Sequence, residues 1–192
     1  MRLAFDQIAE EHSFIVKRFF EQHSDTLGLV AERLIRTLRT GHKLLLFGNG
    51  GSAADAQHFA AELVGRYQIE RPGWPAIALT VDSSALTAIA NDYGYDRVFA
   101  RQVEALGVKG DAVIAISTSG NSNSVIEGVR TAAAKGLHTI GLLGRDGGEL
   151  KSMVDHALVV DAQKTSRIQE VHILIAHILC ESIERAMLSP RE

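Results

Sequence analysis

Leu44-Leu45-Leu46-Phe47-Gly48-Asn49-Gly50-Gly51-Ser52 passes from an unbroken apolar run into a glycine-rich loop, and a helical pattern follows at once over about 52–64. An apolar run without polar alternation suits a strand covered on both faces, and a strand leading through glycines into a helix opens a β-loop-α unit. The same order recurs at Ala76-Ile77-Ala78-Leu79, Ala112-Val113-Ile114-Ala115-Ile116, Thr139-Ile140-Gly141-Leu142-Leu143 and Ala157-Leu158-Val159-Val160. Helical patterns are predicted between them at about 84–90, 96–106, 122–135 and 148–154, with a long terminal helix over about 166–188. The chain is therefore α/β, a five-stranded parallel sheet flanked by helices.

Upstream of the first strand, Ile8, Phe14, Ile15, Phe19 and Phe20, then Leu27, Leu29, Val30, Leu34, Ile35 and Leu38, recur at roughly helical spacing. Two amphipathic helices are predicted, needing either the sheet or a partner subunit to cover them. At 192 residues and 46% hydrophobic content, the chain suits one core, so residues 1–192 are taken as a single domain: a helical extension over 1–40 and an α/β core over 41–192 that includes the terminal helix. Its 20 Lys and Arg against 23 Asp and Glu give a net charge of −3 with no basic block, which disfavours nucleic-acid binding by bulk electrostatics. The single cysteine, Cys180, forms no intrachain disulfide and lies in an apolar stretch as a small core residue. No run is apolar enough to span a membrane or lead secretion, so the cytoplasm is the expected compartment.

Ligands of open α/β sheets gather in the loops at the carboxyl ends of the strands. Two such loops are chemically unusual. Gly48-Asn49-Gly50-Gly51-Ser52 can present backbone N–H groups at a helix start, although a tight turn capped by Ser52 explains it equally well. It matches neither the P-loop nor the full dinucleotide fingerprint. Ile116-Ser117-Thr118-Ser119-Gly120-Asn121-Ser122 carries more hydroxyls than a cap requires, and hydroxyls, backbone N–H groups and a helix dipole together suit a phosphate. Asn91-Asp92, by itself, is an ordinary turn pair.

After the first loop, His58 and Glu62 share a helical face at i, i+4, and Arg66 extends it with an ion pair to Glu62 as its plain role. The terminal helix carries Arg167-Ile168-Gln169-Glu170-Val171-His172 and His177 among apolar residues. Gln169 and His177 lie roughly 12 Å apart along an ideal helix, too far for both to reach one ion unless the helix start is distorted or they come from different subunits. His172 is expected to be a structural, hydrogen-bonded histidine.

Together, GNGGSAADAQHFAAELVGR at 48–66, ANDYG at 90–94, ISTSGNS at 116–122 and RIQEVHILIAH at 167–177 closely resemble the phosphoheptose isomerase branch of the SIS (sugar isomerase) family. The resemblance runs from about residue 25 to the terminal helix and rests on four separated motifs in the family's order. It implies a three-layer SIS fold whose N-terminal helices serve oligomerisation. It also implies a homotetramer with active sites between subunits, converting sedoheptulose 7-phosphate to D-glycero-D-manno-heptose 7-phosphate for bacterial lipopolysaccharide or a related surface glycan. His58, Glu62, Gln169 and His177 match the family's ligands for one Zn2+ per subunit. Asn49, Gly50, Gly51, Glu62, Asn91, Asp92, Ser117, Thr118, Ser119, Ser122 and Gln169 match its substrate-binding positions, and Glu62 and His177 its proposed base and acid. Ser166 departs from the pattern, standing where some relatives carry aspartate, and Tyr67 to Trp74 carries no chemistry that the sequence identifies. ALTAIAND and RIQE also resemble non-catalytic SIS proteins that bind the bacterial replication initiator, but that class predicts loss of the acid-base set, and Glu62 and His177 are both present.

Overall fold

The computed structural model describes residues 5–189. The elements, in chain order, are α1 (Phe5–Arg39), β1 (Leu44–Gly48), α2 (Gly51–Val64), β2 (Ala76–Ala78), α3 (Ser83–Tyr93), α4 (Val98–Leu106), β3 (Ala112–Ser117), α5 (Asn123–Ala134), β4 (His138–Gly144), β5 (His156–Val160) and α6 (Thr165–Leu188). The five strands form one sheet in the order β2-β1-β3-β4-β5, and every neighbouring pair is parallel.

Strand side chains alternate between two apolar layers. Leu44, Leu46, Ile114, Ile116, Ile140 and Leu142 bury against α1, α2 and α6, whereas Leu45, Phe47, Val113, Ala115 and Leu143 bury against α4 and α5. The three-layer α/β expectation holds. The neighbours β1 and β3 continue into helices on opposite faces, since α2 packs in the first layer and α5 in the second. A crevice must open between their carboxyl ends, where doubly wound sheets bind ligands.

The N-terminal expectation needs correction: residues 5–39 form one continuous helix. The polar stretch Gln22-His23-Ser24-Asp25-Thr26 separates the two apolar sets but holds no proline, and Ser24 bonds back to the Phe20 carbonyl without breaking the helix. Ile15, Phe19, Leu27, Val30, Leu34 and Leu38 of α1 join the core, while Phe5, Phe14 and Leu29 stay exposed. The helix predicted at 148–154 is only a 3₁₀ turn over Glu149–Ser152, because Gly147 and Gly148 hold positive φ and Asp155 must already pair with Thr139 to enter β5. Among the described residues no helix is long and apolar enough to cross a membrane.

The segment Tyr67 to Trp74, without assigned chemistry in the sequence, ties α2 to α6. Arg71 and Glu184 form an ion pair with side chains only 1% and 3% exposed. Arg71 also donates to the carbonyls of Glu62 and Leu63, each at 2.9 Å, and its guanidinium lies 3.5 Å from the Trp74 ring. It thereby closes carbonyls at the end of α2 that have no helical partner. Burial favours the protonated form of Glu184, but the N–H groups of Gln68, Ile69 and Tyr67 and the Arg71 guanidinium together hold its carboxyl below the usual range. Breaking a buried pair from one side strands a charge. Arg71→Met is therefore expected to cost about 3–5 kcal/mol in urea unfolding, with part regained in Arg71→Met/Glu184→Gln. Equal stability of wild type and the single variant would refute the clamp.

His172 is fully buried, and its Nε2 donates to the Leu143 carbonyl at 3.0 Å, as expected of a structural histidine. Its Nδ1 has no partner, and burial pushes the imidazole pKa down to about 4, only partly opposed by the bond to Leu143. Cys180 is likewise buried, with its thiol pKa raised first by desolvation, which makes it inert packing as expected. Because an unfolded histidine titrates near ~6.5, the unfolded chain binds the extra proton between that pH and about 4. The His172 contribution should make stability fall as pH drops through that window, and His172→Gln should flatten the slope. Parallel stability curves for the two proteins from pH 6.5 to 5 would contradict this.

Candidate active site

The crevice between β1 and β3 is closed by side chains from both strand-end loops. A cleft of about 170 Å³ is lined by Asn49, Ser52, Ile116, Ser117, Thr118, Ser119 and Ser122. Asn49 spans it, donating from Nδ2 to Ser122 Oγ at 2.8 Å and to Ser124 Oγ at 2.9 Å. The hydroxyl loop is held from within by Gly120 N–H on Ser117 Oγ and from outside by Leu150 N–H on the Gly120 carbonyl.

The glycine-rich loop is a tight turn, as expected, but neither loop is capped by its serine side chain. Ser122 is the N-cap of α5 yet makes no side-chain cap bond, which leaves its hydroxyl to the cleft. The N-cap of α2 is Gly50, not Ser52, and Ser52 is buried in the cleft wall. Hydroxyls and the N–H groups at the start of α5 are a donor set that suits an anion without a fixed cation.

A second group of side chains lies farther along α2. His58 Nε2 is 2.9 Å from His177 Nε2 and 3.3 Å from Glu62 Oε1, and donor atoms of the three residues all fall within 4.8 Å of one another. Two imidazole nitrogens this close share either a proton or a cation. Donors about 3.3 Å apart are what a tetrahedral ion with ~2.0 Å bonds requires, so the set suits a divalent metal. The sequence placed His58 and Glu62 on one face; the fold adds His177 from α6.

Gln169 does not join them within one chain. Thr165–Leu188 is a regular helix, so the distorted start is ruled out. The Gln169 amide instead lies at the beginning of α2, with Nε2 only 2.2 Å from the position a Cβ on Gly51 would occupy. A side chain at 51 would push this amide aside. Gln169 therefore borders the glycine-rich loop, about two turns of α6 from His177.

Asn91 and Asp92 lie in the last turn of α3 and not in a loop, exposed and bonded to each other at 2.8 Å. Arg66 pairs with Glu70 at 3.4 Å and not with Glu62. Ser166 is exposed at the start of α6.

Four residues at this site escaped the sequence reading. Tyr95 donates to Asn49 Oδ1 at 2.8 Å, and Ser124 is the buried partner of Asn49. Tyr67 stacks obliquely on His177, ring centres 5.9 Å apart. Asp55, three residues before His58, has a buried Oδ2 without a hydrogen-bond partner; burial raises its carboxyl pKa, partly opposed by His58. A periodic count from His58 back to Asp55 would have found the last, since the two share a helical face; the others depend on tertiary contact.

The chain matches the SIS domain family over residues 8–144. It is 53% identical over 178 residues to a phosphoheptose isomerase from Trichlorobacter lovleyi, covering 93% of this chain and 91% of that protein. The solved phosphoheptose isomerase of Neisseria gonorrhoeae is 44% identical, with a TM-score of 0.89, covering 95% of this chain and 100% of the other. That of Francisella tularensis is 35% identical, with a TM-score of 0.87 and coverage of 96% and 100%. A polar cleft at the switch point and a His-Glu-His cluster thus sit on a fold shared along nearly the whole chain, and the chain belongs to the SIS domain family, within its phosphoheptose isomerase group.

Proposed function

We propose that this protein is an aldose-ketose isomerase that converts sedoheptulose 7-phosphate to D-glycero-D-manno-heptose 7-phosphate, supplying heptose for bacterial lipopolysaccharide or a related surface glycan. The observation that carries the reading is the joining of His58 and Glu62, on the helix that leaves the cleft, with His177 of α6 into one cluster. A substrate anchored by phosphate at one end and isomerised at the other needs such a division of labour. The printed names of the relatives, phosphoheptose isomerases, agree with it.

Ketose-aldose isomerisation moves a proton between adjacent carbons through an enediol, so a base must face the transferred proton and an acid the carbonyl oxygen. Glu62 is the carboxylate in place for the first role. Its Oε1 faces His58, and a carboxylate has a second oxygen for proton transfer. His177 takes the acid role, with Tyr67 packed against its ring. Ser117, Thr118, Ser119 and Ser122 hold the phosphate, with Asn49 at its edge, and the reading adds the backbone of Gly50 and Gly51.

The reading includes one Zn2+ held by His58, Glu62 and His177. When bound, a divalent ion polarises the carbonyl and stabilises negative charge on its oxygen. Gln169, roughly 12 Å along α6 from His177, fits as a further ligand only from a second copy of the chain. That separation supports active sites between subunits, and the reading takes the assembly as a homotetramer, with the exposed apolar side of α1 available for contact. Asn91 and Asp92 belong to the substrate site in the same reading. A phosphorylated sugar does not cross a bilayer unaided, which supports a cytoplasmic setting.

The test is incubation of purified protein with sedoheptulose 7-phosphate, following the aldose product by NMR. No conversion, with or without added zinc, would overturn the function. Glu62→Gln removes the base while keeping its shape, so kcat should fall by about 10²–10⁴-fold at nearly constant KM. Near-wild-type turnover would remove Glu62 from the base role.

A further inference from the structure

Asn49 uses both ends of its amide in this site. Oδ1 accepts from the Tyr95 hydroxyl at 2.8 Å, and the two Nδ2 hydrogens go to Ser122 Oγ at 2.8 Å and Ser124 Oγ at 2.9 Å. Donor direction decides what the cleft can bind. A hydroxyl has one hydrogen and two lone pairs. Because Ser122 accepts from Asn49, its own hydrogen remains free for the cleft.

The reversed amide is the alternative that must be kept out. With Nδ2 toward Tyr95, Oδ1 would face both serines and draw their hydrogens toward itself. Ser122 would then offer the cleft only lone pairs, which repel an anion. A phenol donates more readily than it accepts, so Tyr95, bonded to Oδ1, favours the orientation in which Asn49 is a donor to the serines. Tyr95 is half-exposed and lies on the turn after α3, while its neighbour Asp96 accepts from Asn123 of α5 at 3.4 Å. The turn is thus tethered to both sides of the crevice.

We infer that Tyr95 is a positioning residue that sets the hydrogen-bond polarity of the phosphate cleft, turning Asn49 so that Ser122 donates to the bound phosphate. The inference rests on the reading of this cleft as the phosphate end of the substrate site. Tyr95 touches neither the phosphate nor the reacting carbons; it acts through Asn49.

The experiment uses the full chain and two measurements. Inorganic phosphate binding is measured by calorimetry for wild type, Tyr95→Phe, Ser122→Ala and the double variant, and kcat and KM are measured with sedoheptulose 7-phosphate. Tyr95→Phe removes only an exposed hydroxyl. Loss of the Ser122 donor is expected to weaken phosphate about five- to tenfold, the worth of one hydrogen bond. KM should rise by a similar factor at unchanged kcat. In the double variant, Tyr95→Phe should add little to Ser122→Ala, because the path through Ser122 is already gone. Unchanged phosphate affinity in Tyr95→Phe, or full additivity of the two substitutions, would overturn the inference. A fall in kcat at constant KM would overturn it too, because it would place Tyr95 with the reacting carbons. If wild type binds phosphate with the expected coupling but leaves sedoheptulose 7-phosphate untouched, the polarity inference stands and the proposed substrate falls.

Discussion

The site depends on a reversal of winding at β1 and β3. These strands are parallel neighbours, yet their connections leave for opposite faces of the sheet. The backbone beyond their ends cannot close the gap, so side chains must. Gly48 marks how tight the approach is: a Cβ there would fall 2.7 Å from the Ile116 carbonyl and 2.8 Å from Ser52. With no side chain at 48, the two loops come close enough for the Asn49 amide to bridge them. A longer span would admit water between the loops and dilute every donor aimed at an anion.

From this crevice α2 leads toward the second cluster, and it meets α6 at both ends. Near its start the Gln169 amide takes the space that glycine leaves at 51. Beyond its end Arg71 binds carbonyls of the last turn while pairing with Glu184 of α6. Between these fixed points His58 and Glu62 face His177. Rotation of either helix by a fraction of a turn would scatter the three donors, so a buried ion pair with no chemical part in the reaction governs the geometry of the groups that have one. Buried pairs contribute little net stability against an apolar substitute; their directional bonds are what this position uses.

Legibility from sequence followed the range of the interaction. The five apolar runs announced their strands because burial on both faces removes polar alternation, and the hydroxyl loop stood out because its donors are contiguous. The pair His58 and Glu62 was visible for a related reason, since both lie on one turn of one helix. Boundaries failed where a local pattern had two outcomes. Gln22 to Thr26 is as compatible with an exposed helical face as with a linker, and continuous hydrogen bonding favours the helix. Asn91 and Asp92, turn formers by propensity, complete α3 because Gly94 ends it one turn later. Tyr95, Ser124 and the Arg71–Glu184 clamp were invisible, since each owes its role to a residue between 46 and 113 positions away.

The division between cleft and cluster also explains how an acidic chain binds an anionic substrate. A fixed lysine or arginine in the cleft would attract phosphate strongly, but it would also favour any phosphorylated molecule without regard to shape. Neutral hydroxyls and helix N–H groups bind only where the oxygens meet them at hydrogen-bond distance, and their affinity depends on each hydrogen pointing inward. Such a site exchanges long-range attraction for directional control. That control cannot reside in the serines themselves, because a hydroxyl rotates freely; it must come from a group that cannot. The planar amide of Asn49, held at its oxygen by Tyr95 and at its nitrogen by Ser122 and Ser124, is the rigid member of this set.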